Sequence, residues 1–448
     1  MLPHAAALVV GERERGRPRG RVRDEAGHHH RLLDHDERGG VALEQERDRR
    51  QRAGPALRVV RVAVAHPEKS RGLVFEPGVL TGDAAEVVAD PRVDVVAEVM
   101  GGVDPARALL LDAFARGKSV VTANKQLIAR HGPELFAAAA RAGADLRLEA
   151  SVGGGLPVIQ PLKESLAANR VTELWGILNG TTNYILTKMG EEGWEYARAL
   201  EEAQRLGFAE SDPTDDVDGH DAAAKLAILS TIAFHAPVDV EAVYREGIRG
   251  VTPQDIAFAR ELGFAVKLLG IAREREGRIE ARVHPSFLPL DHPLAAIRNE
   301  LNALFIRGDF AGEVMTVGRG AGGEPTASAV VADLIDVARN RMAGAHGRVG
   351  WNTLGARPMR PIAETASPFY LLMQVTDRPG VFARIAAIFG EEGVSIASIG
   401  QKSRGLTAEI ILVTHTALEA QMQRVLRRIK ELDVLHAVRS AIRVVGEV

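Results

Sequence analysis

The chain has 448 residues, 46% hydrophobic and 26% charged, with a formal net charge of -3 and no cysteine. At roughly 100–200 residues per domain this length calls for two to four domains, and the near-neutral charge argues against a general nucleic-acid or anionic-membrane binder. The absence of cysteine excludes disulfides, thiolate metal sites, iron–sulfur clusters and a cysteine nucleophile, and no apolar run approaches the ~20 residues of a membrane span or forms a secretory leader, so a cytoplasmic protein is expected.

Residues 1–55 are arginine-rich, carry the run His28-His29-His30, and contain no lysine before Lys69. They follow neither a period of 2 nor one of 3.6, so a disordered head is expected rather than a packed core. Order begins at Leu57. The runs LRVVRVAV, VDVVAEVM and KSVVTAN predict short buried strands, with alanine-rich helices between and after them, and LRLEASV (Leu146 to Val152) predicts a further strand. Strands alternating with helices point to βαβ units and a parallel sheet over 56–150. A second domain over 151–346 mixes helices and strands: DAAAKLAILSTIAF is apolar nearly all round and predicts a buried helix, LLGIARER and GRIEARVHPSFL predict paired strands, and VGRGAGGEPTAS is a glycine loop feeding a helix. Residues 347–367 turn Gly/Pro-rich and read as a linker. From 368 to 448 the order β-α-β-β-α-β is that of a ferredoxin-like unit.

The segment GFAESDPTDDVDGHDAAAK concentrates carboxylates. It could be a solvated turn, a calcium loop or a site for a substrate ammonium, although its spacing does not match an EF-hand. Asp221 and Lys225 share a helix face at i,i+4, which by itself is a surface salt bridge worth a few tenths of a kcal/mol. The apolar run after Lys225 favours a desolvated lysine of lowered pKa, held by Asp221, as an acid–base group. Lys125, in Thr122-Ala123-Asn124-Lys125, falls at the carboxyl end of a parallel strand, where ligands bind in open α/β sheets. In EVMGG, Gly101 and Gly102 permit close backbone approach by a ligand or make a plain turn. EASVGGGLP offers backbone carbonyls to a hard cation or merely changes direction. The glycines before the helix that follows Gly323 place a helix N-terminus where an anion could sit. A G-x-G-x-x-G dinucleotide turn and the strand before it are missing from residues 1–56.

Taken together, EVMGG with TANK, EASVGGGLP, NGTTNYIL and GFAESDPTDDVDGHDAAAK resemble the bacterial homoserine dehydrogenases that end in an ACT regulatory domain, and DRPGV with GVSIASIGQ resembles ACT effector segments. The resemblance runs from about Gln51 to Val448. It implies an α/β protein with a Rossmann-like nucleotide domain, an α+β substrate and dimerisation domain, and a ferredoxin-like ACT domain. The implied reaction interconverts L-homoserine and L-aspartate 4-semialdehyde with NADP (or NAD), on the route to threonine, methionine and isoleucine. By the same resemblance Lys225 is the general acid and Asp221 orients it, Glu210 and Asp216 bind the substrate ammonium, and Lys125 serves substrate and cofactor. Gly101, Thr122, Gly207 and Gly322 line the cofactor side. Carbonyls of Glu149, Val152, Gly154 and Leu156 form a sodium site, and Asp377, Pro379, Gly380 and Val381 contact an amino-acid effector, expected to be threonine. A homodimer or homotetramer is implied, with pairing surfaces on both the middle sheet and the ACT sheet.

The chain departs from the family at its amino end. Arg17-Pro18-Arg19-Gly20 can be written in codons that read Gly-Leu-Gly-Val one base later, so residues up to roughly 45–52 are expected to be out of frame. The second strand ends Val64-Ala65-His66 without an acid for a ribose 2′-OH, leaving His66, Lys69 or Arg71 for a 2′-phosphate. The alternative to an active enzyme is a catalytically impaired chain that still binds its effector.

Overall fold

In this computed structural model the described residues are 5–10, 57–69, 75–347 and 355–446. The nucleotide layer is a six-stranded sheet in the order Leu80–Thr81, Val59–Val64, Ala5–Val10, Val95–Glu98, Ser119–Thr122, Leu146–Arg147. Its strands are parallel except Ala5–Val10, which runs against both neighbours. The first strand, expected to be missing or altered, is altered: the apolar run Ala5–Val10 takes its slot in the reverse direction. An empty slot there would leave the backbone N–H and C=O groups of two buried strands without partners. Val10 pairs with Val59 and Val95, the first residues of their strands, so this strand ends at the opposite sheet edge from Glu98 and Thr122. His28 to His30, Arg71 and the rest of the stretch expected to be out of frame lie outside the described residues.

One face of the layer, with Val96 and Val120, packs on Ala84–Ala89, Asp104–Ala115 and Lys125–Ala142. The other, with Val95, Ala97 and Val121, is covered by Ala329, Val330, Leu334 and Val337 of the helix Gly323–Met342, which returns from the second domain. The predicted strand 146–152 stops at Arg147 and passes into the 3-10 turn Glu149–Ser151. The cause is Glu149: its carboxylate accepts from the amides of Val158, Ile159 and Gln160 at 2.5, 2.9 and 2.8 Å, and its own N–H donates to Asp333 at 2.9 Å. An extended chain could not reach these partners.

The second domain is built on antiparallel strands ordered Gly312–Arg319, Leu301–Gly308, Val171–Ile177, Phe264–Arg275, Arg278–Pro289. The helix His220–Phe234 lies between this sheet and the helix Lys125–Ala142, and every residue from Asp221 to Phe234 is buried. The C-terminal domain has the expected β-α-β-β-α-β order, with strands Leu435–Val444, Phe369–Thr376, Thr407–Thr414, Ile396–Arg404 across its sheet. Its sheet is not separate. Ser286 and Phe287 pair in parallel with Arg443 and Val444, so both domains share one ten-stranded sheet. The segment read as a linker is bonded to both domains over its described part: Ile279 bonds to Pro358 and Arg360 through backbone groups, and Ala366–Ser367 pairs with Ala417–Leu418. One edge of the ACT-type sheet is thus paired within the chain.

Where the returning helix crosses the nucleotide layer, Arg147 pairs with Asp336 at 2.5 Å, and burial pushes the Asp333 carboxyl up to about 7. In the unfolded chain that group ionises near ~3.9. The native state therefore holds a proton that the unfolded state releases between these values, and this contribution to stability, full below about pH 4, is lost as pH rises through 7. Asp333→Asn keeps an acceptor for the Glu149 amide and removes the titration. Its melting temperature should gain on the parent by several degrees between pH 5 and pH 8 in thermal scans; a constant difference across that range would show that Asp333 does not hold the proton.

Candidate active site

A cleft of about 1120 Å³ opens where the carboxyl edge of the nucleotide layer faces the second domain. At its base is Asp221, with a side chain only 4% exposed. Its Oδ1 lies 2.5 Å from Lys125 Nζ and its Oδ2 2.8 Å from Lys225 Nζ. The two lysines come from different domains: Lys125 is the first residue of its helix and Lys225 sits one turn inside the buried helix. Burial alone would raise the Asp221 carboxyl, but Lys225 and Lys125 outweigh it and hold the group well below the ordinary carboxylate range. The Asp221 charge in turn raises Lys125 above the usual lysine range against the effect of burial. A surface i,i+4 bridge is excluded here, since both Asp221 and Lys225 are buried. Breaking such a pair leaves an uncompensated charge and costs about 3–5 kcal/mol rather than tenths.

Lys225 Nζ also donates to the carbonyl of Leu178 at 2.8 Å, and Asn302 donates to the same oxygen at 3.0 Å. The next residue, Asn179, was not singled out from the sequence. Its Oδ1 accepts from the Thr182 amide at 2.8 Å and caps the helix Gly180–Glu192, while its Nδ2 donates to Asp216 at 2.7 Å and Asp221 at 2.9 Å. The signal available was the Asn at a strand end just before Gly-Thr-Thr, an N-cap pattern. Burial, followed by the charge of Asp221, pushes the Asp216 carboxyl up. Glu210 stands exposed on the cleft wall, and its carboxylate has no hydrogen-bond or ionic partner among the described residues. Gly207 lines the same wall in the left-handed region, at φ 77.

On the nucleotide side Glu98 is 1% exposed, and burial pushes its carboxyl up. It accepts from the amides of Met100 and Gly101 at 2.9 and 3.2 Å and from the Thr122 hydroxyl at 2.6 Å. Asn124 reaches across to the Gly102 carbonyl at 2.6 Å. The Gly101–Gly102 turn and the Thr122–Lys125 segment are thus one tied unit, with both glycines exposed and at positive φ. The Thr122 side chain is fully buried and turned inward, so it holds this unit and does not present its hydroxyl to the cleft.

The two glycine loops prove to be a backbone-to-backbone contact. A Cβ on Gly154 would lie 2.4 Å from the Gly320 carbonyl oxygen, one on Gly155 2.7 Å from Pro325, and one on Gly153 2.2 Å from the Leu156 oxygen. Gly322 caps the helix Gly323–Met342 and brings that N-terminus to the cleft, together with the loop holding Val152 and Gly154. The Glu149 carboxylate is committed to backbone amides, so any cation there would meet carbonyls and not this side chain. Among the described residues no cluster of three or more His, Cys, Asp or Glu forms a metal site. In the C-terminal domain, Asp377, Pro379, Gly380 and Val381 form the first strand-to-helix turn, and Gln401 of GVSIASIGQ donates to Asp377 at 3.3 Å, so the two effector-type segments meet.

Comparison with known proteins adds three matches: the homoserine dehydrogenase family over residues 157–335, the homoserine dehydrogenase NAD-binding domain over 39–149, and the ACT domain over 369–434. The NAD-binding match starts inside the head that the sequence set apart. The chain is 46% identical to homoserine dehydrogenase of Corynebacterium glutamicum over 88% of this chain and 89% of the relative, and 43% identical to that of Bacillus subtilis over 88% and 92%. The crystal structure of a homoserine dehydrogenase from Thiobacillus denitrificans superposes with a TM-score of 0.85 at 44% identity, covering 90% of this chain and 94% of the other. A hyperthermophilic archaeal homoserine dehydrogenase in complex with NADPH matches at 33% identity and a TM-score of 0.51, over 58% and 76%.

Asn179→Ala removes a helix cap and the amide that keeps two carboxylates apart. The expected loss is about 2–4 kcal/mol, from ~1 for the cap and 1.5–3 for charge-assisted bonds, read by denaturant unfolding. A loss under about 0.5 kcal/mol, the usual size for a surface substitution, would remove Asn179 from this role.

Proposed function

The chain belongs to the homoserine dehydrogenase family, and we propose that its cleft holds L-homoserine with the ammonium on Glu210 and Asp216 and the reacting oxygen at Lys225. The observation that carries this reading is the buried Lys125–Asp221–Lys225 arrangement in one cleft with a Glu210 carboxylate that has no partner among the described residues. In the oxidising direction the substrate hydroxyl loses its proton to Lys225 Nζ as the carbon becomes the aldehyde of L-aspartate 4-semialdehyde. In reverse, the Lys225 ammonium returns that proton to the carbonyl oxygen. Asp221 orients Lys225, and Lys125 adds positive charge on the cofactor side, where oxygen carries negative charge in the transition state.

The family's nicotinamide dinucleotide supplies or accepts the hydride. The described residues fit its reacting end: the exposed backbone of Gly101 and Gly102, held by Glu98, permits close approach, and the helix N-terminus at Gly322 favours an anion. NADP is preferred over NAD in this reading, supported by the absence of an acid at Val64-Ala65-His66, by His66 and Lys69 nearby, and by NADPH in the archaeal relative. A sodium ion on the carbonyls of Glu149, Val152, Gly154 and Leu156 is supported by Gly153, where any side chain would collide with the Leu156 oxygen.

The ACT domain takes an amino-acid effector at Asp377, Pro379, Gly380 and Val381, with threonine the proposed ligand on the route to threonine, methionine and isoleucine. Gly380, at φ 86, gives that turn its left-handed step. A homodimer or homotetramer is supported by the edge strand Gly312–Arg319, where Met315 and Val317 expose apolar side chains. A cytoplasmic setting suits a chain without cysteine, and no described helix is long and apolar enough to cross a membrane. Matches spanning both the NAD-binding and catalytic domains favour an enzyme over a chain that only binds its effector.

The test is NADP⁺ reduction by homoserine with the 448-residue chain, NAD⁺ being run in parallel. Lys225→Ala should lower kcat by about 10²-fold or more, as loss of a general acid or base does; an unchanged kcat would remove Lys225 from proton transfer. Glu210→Ala should raise the homoserine KM with little change in kcat. A loss confined to kcat would place Glu210 elsewhere in the reaction.

A further inference from the structure

The last strand of the chain reaches the carboxylate loop of the cleft through a short run of contacts. Arg443, 2% exposed, lies one residue from the end of Leu435–Val444. Its guanidinium donates to Glu419 of its own domain twice, at 2.8 and 2.8 Å, and to Glu246 of the second domain twice, at 2.9 and 3.1 Å. Glu246 is thereby held below the ordinary carboxylate range in spite of burial. The backbone beyond it is wedged against the loop. The Ile248 amide donates to the Val217 carbonyl at 2.8 Å, and a Cβ on Gly247 would lie 2.2 Å from that oxygen and 2.6 Å from Asp218 Cα. Arg249 then grips Asp218 at 2.6 and 3.2 Å. Val217 ends the one-turn helix Thr214–Val217 that carries Asp216, and Asp216 is bonded to Asn179 beside Asp221.

We propose that Arg443 and Glu246 are positioning residues for the substrate site: the C-terminal strand, through this ion pair and the glycine wedge, sets the seat of the Thr214–Val217 helix and so of Asp216. The C-terminal domain then acts on substrate affinity through a packed contact and not only by proximity. Neither residue touches substrate, and the consequence for substrate rests on the reading of Asp216 as an ammonium partner. A cationic side chain, or one without an acceptor, at 246 frees the loop, whereas an amide keeps one acceptor for Arg443.

Two variants approach the pair from either end. Glu246→Ala leaves the Arg443–Glu419 pair intact, and Arg443→Lys keeps a charge against Glu419 while losing the fork to Glu246. Hydrogen exchange of peptides covering Thr214 to Gly219 and Ile248 should quicken by about tenfold or more in both, with the buried helix His220–Phe234 unchanged. The homoserine KM should rise by about tenfold, the size of coupling found within one hydrogen-bonded network, with kcat and the KM for NADP⁺ held within about twofold. Glu246→Gln should restore most of both. Parental exchange in a folded variant overturns the proposal, as does quickened exchange with an unchanged homoserine KM. If the parent chain does not oxidise homoserine, the functional reading fails by itself, and the exchange measurement still decides the positioning.

Discussion

Everything in the cleft depends on one buried carboxylate. Asp221 is almost inaccessible to water, and an isolated charge in such a place would cost several kcal/mol. It stays ionised because a lysine from each of two domains lies against it and Asn179 donates a third contact. The constraint works in both directions. The carboxylate fixes where the two ammonium groups can be, and it fixes how the nucleotide layer and the buried helix sit, since Lys125 opens a helix of the first and Lys225 belongs to the second. A cleft assembled from two domains is thereby also a joint between them.

The rest of the cleft follows from how closely backbone can approach backbone. Gly154 nests against Gly320, Gly155 against Pro325, Gly153 against Leu156 of its own loop and Gly247 against Val217, in each case at distances that a Cβ would violate. These contacts place loops with little side-chain freedom to lose, and they leave polar atoms directed at the cleft. Buried side-chain carboxylates then tie the loops: Glu98 holds the turn at Gly101, Glu149 gathers three amides, and Asp333 accepts from Glu149. None of the three lines the cleft. The joined sheet extends the same economy to the C-terminal domain, whose last strand pairs with Arg278–Pro289 over only two residue pairs and adds the buried Arg443 cluster beside them.

Much of the architecture was legible along the chain because it is local. Helix His220–Phe234 was visible as an apolar run, the hairpin Phe264–Arg275 with Arg278–Pro289 as two strands with a tight turn, and the C-terminal unit as β-α-β-β-α-β. The Asp221–Lys225 pair could be drawn on a helical wheel. One local reading failed where a long-range partner intervened: the strand at Leu146 ended early because Glu149 answers amides nine to eleven residues on and Asp333 far beyond. The slot filled by Ala5–Val10 was missed because an apolar hexamer carries no sign of strand direction.

By itself the sequence determined the types and order of the elements, the family resemblance and the residues that carry charge, since these follow from periodicity, turn chemistry and motif. Only the tertiary structure decided what the charges do. Burial, which no spacing reveals, turned an i,i+4 pair into a three-member ionic centre, withdrew the Thr122 hydroxyl from the cleft, and gave Asn179 its place between two carboxylates. The physical reason is that electrostatic strength and hydrogen-bond commitment depend on the dielectric surroundings and on partners distant in the chain, and both come into being only when the domains close on one another.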